Sequence, residues 1–433
     1  MKLIPALDLF PLMAAILAAM ICGLLGNFLV LRRQSLMGDA ISHAVLPGLI
    51  AGFLLTSSMS TSIMLVGAAI AGVLAVVLIE LVRKVGGVEP GAAMGVVFSV
   101  MFAGGVLLLE QAAARSVHLD PDCVLYGQLE TLVWYQAPPT FAGLFVWSTV
   151  EAIPRQVWLL MVVGIVSLVF VVGLFKELRI SAFDPGLSTA QGIHAGFMHY
   201  ALMLLVAAAT VASFEAVGSI LVIAMLIAPA AVARLLTDRL VSQIGVSMIA
   251  AVLCAVLGYT GATIVPGWFD ADSVNAAGSM TVIAGLLVFL AAVLSPRHGI
   301  VSRKWRQRLL ARSAAIDDLL ATLYRLQEAG RRVVAPSDIA LPIPGKQQQA
   351  TRLAVKRGLV AETGRGLALT DLGLDSATRL VRKHRLWEDY LVRDVGLEPD
   401  HVHETAEQLE HLKVSPDHDD VQVDPHGSRI PPG

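Results

Sequence analysis

The sequence predicts an all-α polytopic membrane protein of eight or nine transmembrane helices, followed by a smaller, mostly α-helical soluble domain. Three observations predict it. The 433 residues are 56% hydrophobic and only 15% charged, where soluble domains carry about 25% charged residues. The charge is unevenly placed, with 26 charged residues in the first 296 and 40 in the last 137. Apolar stretches long enough for the ~20 residues that cross a hydrocarbon core recur through the first block only. The net charge of −2 creates no strong positive field, so bulk electrostatics does not point to nucleic acid as the partner. Cys22, Cys123 and Cys254 are too scattered for a disulfide framework and form no CxxC metal site.

Nine spans are read near 8–31, 40–57, 62–82, 92–110, 157–175, 197–213, 216–236, 242–262 and 278–295. The first has only Lys2 ahead of it and no small-residue cleavage site behind it, so it is read as a membrane helix and not a signal peptide. Arg32/Arg33, Arg83/Lys84, Lys176/Arg179, Arg234/Arg239 and the stretch from Arg297 fall on alternate loops, which the positive-inside rule assigns to the cytoplasm. An odd number of spans then leaves the N-terminus outside and the C-terminal block in the cytoplasm. The stretch 134–155, with Pro138, Pro139 and Pro154, reads either as a loop or as a re-entrant or interfacial segment.

Ionisable groups inside apolar spans cost at least ~2.5–3.5 kcal/mol each unless paired or hydrated, so the few present are informative. Asp39 and His43 lie in GDAISHAVLPG (38–48), four residues apart and hence on one helix face. A carboxylate oxygen and an imidazole nitrogen so placed can share a divalent cation. Pro47 and Gly48 follow one turn later and loosen the helix there. The competing interpretation is an interfacial pair with Asp39 capping the helix start. Glu215 and Pro229, in the segment 214–236, mark a second polar and kinked place, which packing through small residues also explains.

The C-terminal block opens with a basic helix over 299–312 that suits an anionic inner leaflet. Residues 313–373 read as a winged helix-turn-helix: an amphipathic helix over 315–330 ending at Gly330, two short helical pieces near 336–341 and 345–357, and a two-stranded wing over 358–373. Lys346, Arg352, Lys356 and Arg357 could contact phosphates, but Pro342 and Pro344 occupy the turn region, so DNA is the less favoured partner. Residues 374–433 hold the metal-like pattern, since six of the eleven histidines fall in the last fifty residues. His384 and Glu388 are four apart, and His403, Glu407, Glu410 and His411 recur at intervals of 4, 3 and 1, so three of them fall on one helical stripe. Mixed imidazole and carboxylate donors suit manganese, iron or zinc. A solvated amphipathic helix with Glu/His pairs is the plainer alternative.

Two sets of motifs carry resemblances. GDAISHAVLPG, GVVFSVMFAGGVLL (95–108), HLDPDCVLYGQLE (118–130), VGSILVIAMLIAPAAVARLL (217–236) and SPRHG (295–299) resemble the permease subunits of manganese, zinc or iron ABC importers, over nearly all of 1–298. The resemblance implies that Asp39 and His43 line the ion path near the outer gate. It also implies that the polar segment 176–193, with Phe183, Asp184, Pro185 and Gly192, seats in an ATPase groove. No GxxxxGK[ST] occurs in the chain, so ATP hydrolysis falls to a separate ABC ATPase subunit and this chain is a permease, not an enzyme. The implied assembly adds a periplasmic metal-binding protein and a second permease subunit, identical or different, at a bacterial inner membrane.

LTDLG, RKHRLWEDYL, VHETAEQLEH and DPHGSRIP (424–431) resemble the diphtheria-toxin-repressor and manganese-repressor family over about 313–431. The resemblance implies metal ligands at Asp318, His384, Glu407, Glu410 and His411, with Glu388 and His403 in an ancillary site. Glu at 407 follows the manganese sensors, although Ala321 stands where those sensors place a further Glu. The expected function is a permease for divalent ions, manganese first and zinc or iron next, with a cytoplasmic metal-sensing domain. A membrane-tethered, metal-dependent DNA-binding regulator is the rival; a gradient-driven carrier is disfavoured because no repeat with interrupted helices is evident.

Overall fold

A computed structural model describes residues 5–56, 61–113, 129, 132, 153–269, 274–339, 347–364, 366–410, 416 and 421–432. The chain divides into two compact units, Met1–Ser302 and Arg303–Gly433.

The first unit is helical: α1 (Pro5–Leu31), α2 (Met37–Thr56), α3 (Thr61–Gly86), α4 (Pro90–Ala113), α5 (Arg155–Gly173), α6 (Phe175–Phe183), α7 (Pro185–Ala190), α8 (Ala195–Leu236), α9 (Leu240–Ile264) and α10 (Ala276–Leu294). Among the described residues, eight of these helices are long and apolar enough to cross a membrane. The difference from nine spans lies in α8. At 42 residues it is twice the length one crossing needs, and Gly218, with φ 79 and ψ 167, breaks it near the start of the second of the two segments that the hydropathy separates. Glu215, three residues before the break, has both carboxylate oxygens buried and without a hydrogen-bond partner among the described residues.

Lipid tails are as apolar as leucine, so helices associate here through close packing of small residues. Gly48 of α2 and Gly67 of α3 face each other so closely that a Cβ on either would stand 2.4 or 2.3 Å from the other's carbonyl oxygen. A Cβ on Gly26 of α1 would lie 1.9 Å from the carbonyl oxygen of Leu226. On the outside, α5 presents Val162, Ile165, Val169 and Val172, each more than half exposed, as expected of a surface that faces lipid. The loop after α10 is tied to the end of α8 and the loop that follows it: Ser295 Oγ donates to the Leu235 carbonyl at 2.5 Å and Arg297 pairs with Asp238 at 2.8 Å.

In the second unit, the basic stretch and the amphipathic helix expected as separate pieces form one helix, α11 (Ile300–Glu328), because no breaker falls between them. Gly330 (φ 89) ends it, with Arg331 N–H donating to the Leu326 carbonyl at 3.0 Å. The piece near 336 is a short 3-10 turn over Pro336–Asp338; Pro342, Pro344 and Lys346 lie outside the described residues. Then come α12 (Gln347–Lys356) and an antiparallel pair, β1 (Val360–Thr363) with β2 (Gly366–Leu369), in register Val360 to Leu369. Val334 bridges to Leu367 and adds a third short rung to this wing. Thr370 caps α13 (Asp371–Arg393) by accepting from Gly373 N–H, and α14 (His403–Leu409) follows. Ile316, Leu319, Leu320, Val334, Val360 and Leu367 form the core of the winged part.

Candidate metal centres

Asp39 and His43 occupy the first two turns of α2, with His43 Nε2 3.3 Å from Asp39 Oδ1. Neither is sealed in the protein, the side chains being 36% and 24% exposed. The imidazole stands edge-on to Phe98 (centroids 4.7 Å apart) and Phe102 (5.4 Å), two residues one turn apart on α4. These rings wall the imidazole on one side and hold its orientation, a role that no spacing rule reveals because a Phe in an apolar span is unremarkable. Pro47 lacks an N–H, so the His43 carbonyl loses the helical donor that position 47 would normally supply. Gly105 of α4 makes room for the Pro47 ring, since a Cβ there would stand 2.9 Å from its Cδ.

The polar segment 176–193 folds as α6 and α7. Asp184 caps α7 by accepting from Leu187 N–H at 2.9 Å, Pro185 takes the first helical position, and Gly192 turns the chain with φ 79. Phe183 is left 62% exposed at the junction. The segment is fastened to the membrane helices by Arg32, whose Nη2 donates to Ser181 Oγ at 2.9 Å while Nη1 lies 3.1 Å from His199 Nδ1. His199 Nε2 in turn stands 3.6 Å from Glu80 of α3, a buried carboxylate also paired with Arg83 at 2.5 Å.

In the second unit, α13 and α14 bring three ligand atoms together: His384 Nε2, Glu388 Oε1 and His403 Nδ1 lie 2.7 to 3.1 Å from one another. His384 and Glu388 are buried, while the His403 side chain is 54% exposed and opens the cluster to one side. Three lone-pair donors of mixed nitrogen and oxygen type, converging this closely, fit a divalent manganese, iron or zinc ion. Glu410 takes a different place from the one its helical spacing implies. Its Oε2 meets the opposite nitrogen, His384 Nδ1, at 2.5 Å, the arrangement by which a carboxylate fixes the tautomer and orientation of a metal-binding imidazole. Asp318 and Glu407 do not join the group of three, and His411 lies outside the described residues. An exposed group, Glu398, Asp400 and His401, sits on the loop before α14 and is a local surface cluster.

Sequence reasoning passed over Arg385, which is buried beside His384 and pairs with Glu328 Oε2 at 2.6 Å and Asp424 Oδ2 at 3.4 Å. This joins α11, α13 and the terminal turn around the cluster. A basic residue in a charge-rich helix gives no sequence signal of such burial.

The same geometry sets a pH dependence. Burial disfavours the His384 imidazolium, but the hydrogen bonds with Glu388 and Glu410 outweigh it and raise the pKa above the usual 6.5. Burial likewise disfavours the Glu388 carboxylate, yet its bonds with His384 and His403 bring the carboxyl down to about 2. The His384 contribution to stability is therefore present below its unfolded pKa and lost as pH rises through the raised value. The Glu388 contribution is present above its unfolded pKa and lost as pH falls toward 2. In metal-free full-length protein, hydrogen exchange of peptides from 371–393, corrected for intrinsic rates, is expected to show protection that falls as pH rises through the range above about 6.5. Protection that rises or stays level across that range would contradict the paired imidazolium.

Residues 9–136 and 145–295 match the ABC 3 transport family, and residues 370–432 match the iron dependent repressor, metal binding and dimerisation domain. The manganese transport system membrane protein MntD of Bacillus subtilis is 39% identical over 291 residues, covering 67% of this chain and 93% of that protein. The zinc transport system membrane protein TroD of Treponema pallidum is 36% identical over 368 residues, covering 84% and 96%. Among solved structures, PsaBC from Streptococcus pneumoniae in complex with Fab matches with a TM-score of 0.53 and 30% identity, over 68% of this chain and 94% of that one.

Proposed function

The chain belongs to the ABC 3 transport family and carries an iron-dependent-repressor domain at its C-terminal end, and on that premise we propose that it imports a divalent transition-metal ion and senses the same class of ion in the cytoplasm. Manganese is the favoured cargo, with zinc or iron next, in keeping with the relatives named for manganese and zinc transport. The observation that carries the transport reading is the Asp39 and His43 pair, a carboxylate and an imidazole 3.3 Å apart in an otherwise apolar helix. An ion losing its water shell in an apolar span needs such donors, and the aromatic wall of Phe98 and Phe102 keeps the imidazole directed.

The chain acts as the permease of a bacterial inner-membrane assembly with a separate ABC ATPase, a periplasmic metal-binding protein and a second permease subunit, and its repressor-like domain lies in the cytoplasm. The exposed Phe183 and the capped turn at Asp184 and Pro185 form the face offered to the ATPase, and the Arg32 link to Ser181 carries its movement to α1. In the cytoplasmic domain, His384, Glu388 and His403 would hold the sensed ion and Glu410 would orient His384. A bound ion there adds charge neutralisation to a cluster of carboxylates and imidazoles and so stabilises the folded domain.

The test is manganese accumulation in cells that depend on this permease. Accumulation is expected to require both the full chain and an ATPase partner with an intact ATP site, and to slow as cytoplasmic manganese rises. His384→Ala is expected to remove the slowing while leaving initial uptake intact. Accumulation indifferent to loss of the chain or of ATP hydrolysis overturns the transport reading. Slowing that persists in His384→Ala overturns feedback through the cytoplasmic cluster.

A further inference from the structure

We propose that His199 and Glu80 are positioning residues for transport, forming with Arg32 a relay that carries movement of the ATPase-facing segment into the helix that bears Asp39 and His43. The inference rests on the reading of 176–193 as that segment and extends it to two residues that no motif marks. Four elements meet at the relay. Ser181 lies on α6, Arg32 directly follows α1, His199 stands near the start of α8, and Glu80 lies near the end of α3. Arg32 Nη2 donates to Ser181 Oγ at 2.9 Å, and Ser181 Oγ donates onward to the Leu178 carbonyl at 3.2 Å. On the other side, Arg32 Nη1 lies 3.1 Å from His199 Nδ1, and His199 Nε2 lies 3.6 Å from Glu80 Oε2.

The donor and acceptor chemistry orders these contacts. A guanidinium carries only donors and keeps its proton, so His199 Nδ1 must accept from Arg32. The ring hydrogen of the neutral imidazole then sits on Nε2, toward Glu80. That last contact is electrostatic, being longer than a hydrogen bond. A neutral imidazole thus stands between a cation and a carboxylate and ties the orientation of one to the other. The His199 and Glu80 side chains are 13% and 8% exposed, so solvent and salt screen them less than a surface pair. Arg32 Nε is buried without a hydrogen-bond partner among the described residues, and the two terminal nitrogens of the fork make the contacts to α6 and α8.

Both ends of the relay are held. Arg33, with a left-handed φ of 57, turns the chain directly after Arg32, and Gln34 N–H closes the end of α1 on the Leu29 carbonyl at 2.9 Å. Arg83 pairs with Glu80 at 2.5 Å, and Lys84 Nζ donates to the Tyr200 hydroxyl at 2.7 Å, a second tie between α3 and α8. Beyond the relay the helices meet backbone to backbone. Gly26 seats α1 against the Leu226 carbonyl of α8, and Gly67 seats α3 against Gly48 of α2, the helix of Asp39 and His43. Contacts this close do not compress, so a displacement of α6 passes through Arg32, His199 and Glu80 to whole helices.

The experiment uses the assembled transporter, this chain with its ATPase and metal-binding-protein subunits, reconstituted in liposomes, and reads Mn²⁺ taken up for each ATP hydrolysed. Arg32→Gln and His199→Phe are each expected to lower that ratio by at least about fivefold, the low end of coupling between sites, with hydrolysis within about twofold of the parent. The double variant is expected to fall no further than the lower of the two, because either change opens the same relay. A ratio unchanged in both single variants, or losses that multiply in the double variant, overturn the relay. Phe183→Asp tests the reading beneath it. It is expected to lower hydrolysis and to release the ATPase from the complex; hydrolysis and assembly equal to the parent's overturn the ATPase-facing role of 176–193. If Arg32→Gln or His199→Phe elutes as aggregate, Ser181→Ala, which removes one acceptor of Arg32 and little volume, is read by the same ratio.

Discussion

Cells that rely on this permease for manganese are expected to take it up at less than about a tenth of the normal rate when the chain carries Asp39→Ala or His43→Ala. The two groups lie on one face of α2 and are the ionisable side chains of that helix. Removing either leaves a lone donor where an ion must give up part of its hydration. The conservative substitution discriminates the ligand role from packing. His43→Phe keeps a ring against Phe98 and Phe102, whose centroids lie 4.7 and 5.4 Å from that of His43, but supplies no nitrogen. His43→Phe is expected to fold and elute normally yet fail to transport. Normal manganese uptake in Asp39→Ala and His43→Ala, with protein present in the membrane at ordinary levels, would remove the pair from the ion path.

Gly26→Ala is expected to destroy the membrane unit, seen as loss of the monodisperse peak in detergent and of protein in the membrane. A Cβ at this position would stand 1.9 Å from the Leu226 carbonyl oxygen and 2.9 Å from its carbon, so the obstacle is backbone and not a side chain that can rotate. Both helices would have to part along their length, which costs more than the ~1–3 kcal/mol typical of an overpacked core. Gly95→Ala on α4 is the control. Nothing lies within 4 Å of its added Cβ, and alanine is favoured over glycine in a helix by roughly 1 kcal/mol, so folding is expected to be unharmed. Equal survival of the two variants would mean that α1 and α8 do not pack through Gly26.

Much of the fold is legible in the sequence because hydropathy is a local property. A run of apolar residues identifies a span wherever the chain goes, and the jump in charge after residue 296 anticipates the division at Ser302. The wing follows from turn chemistry written within a few residues. The break at Gly218 is harder. Glycine is common in membrane helices, and only the φ of 79 shows that this one interrupts a run of 42 residues. Nor does a local pattern separate the basic stretch from the helix that follows it, since helix propensity is continuous through 300–328 and the two fold as one.

The candidate sites divide in the same way. Asp39 with His43, and His384 with Glu388, are read from sequence because partners four residues apart share a helix face. By itself the sequence determined where carboxylates and imidazoles recur at helical spacing in each half, and which helices supply most of them. The tertiary structure decided how those groups are used. His403 crosses from α14 to complete the pair on α13, and Glu410 meets the far nitrogen of His384 and not the shared face. Phe98 and Phe102 wall His43, and Arg385 is buried under the terminal turn. Helical periodicity reports which side chains lie together on one element, whereas contacts between elements depend on crossing geometry and close backbone approach, which residues far apart in the chain specify jointly.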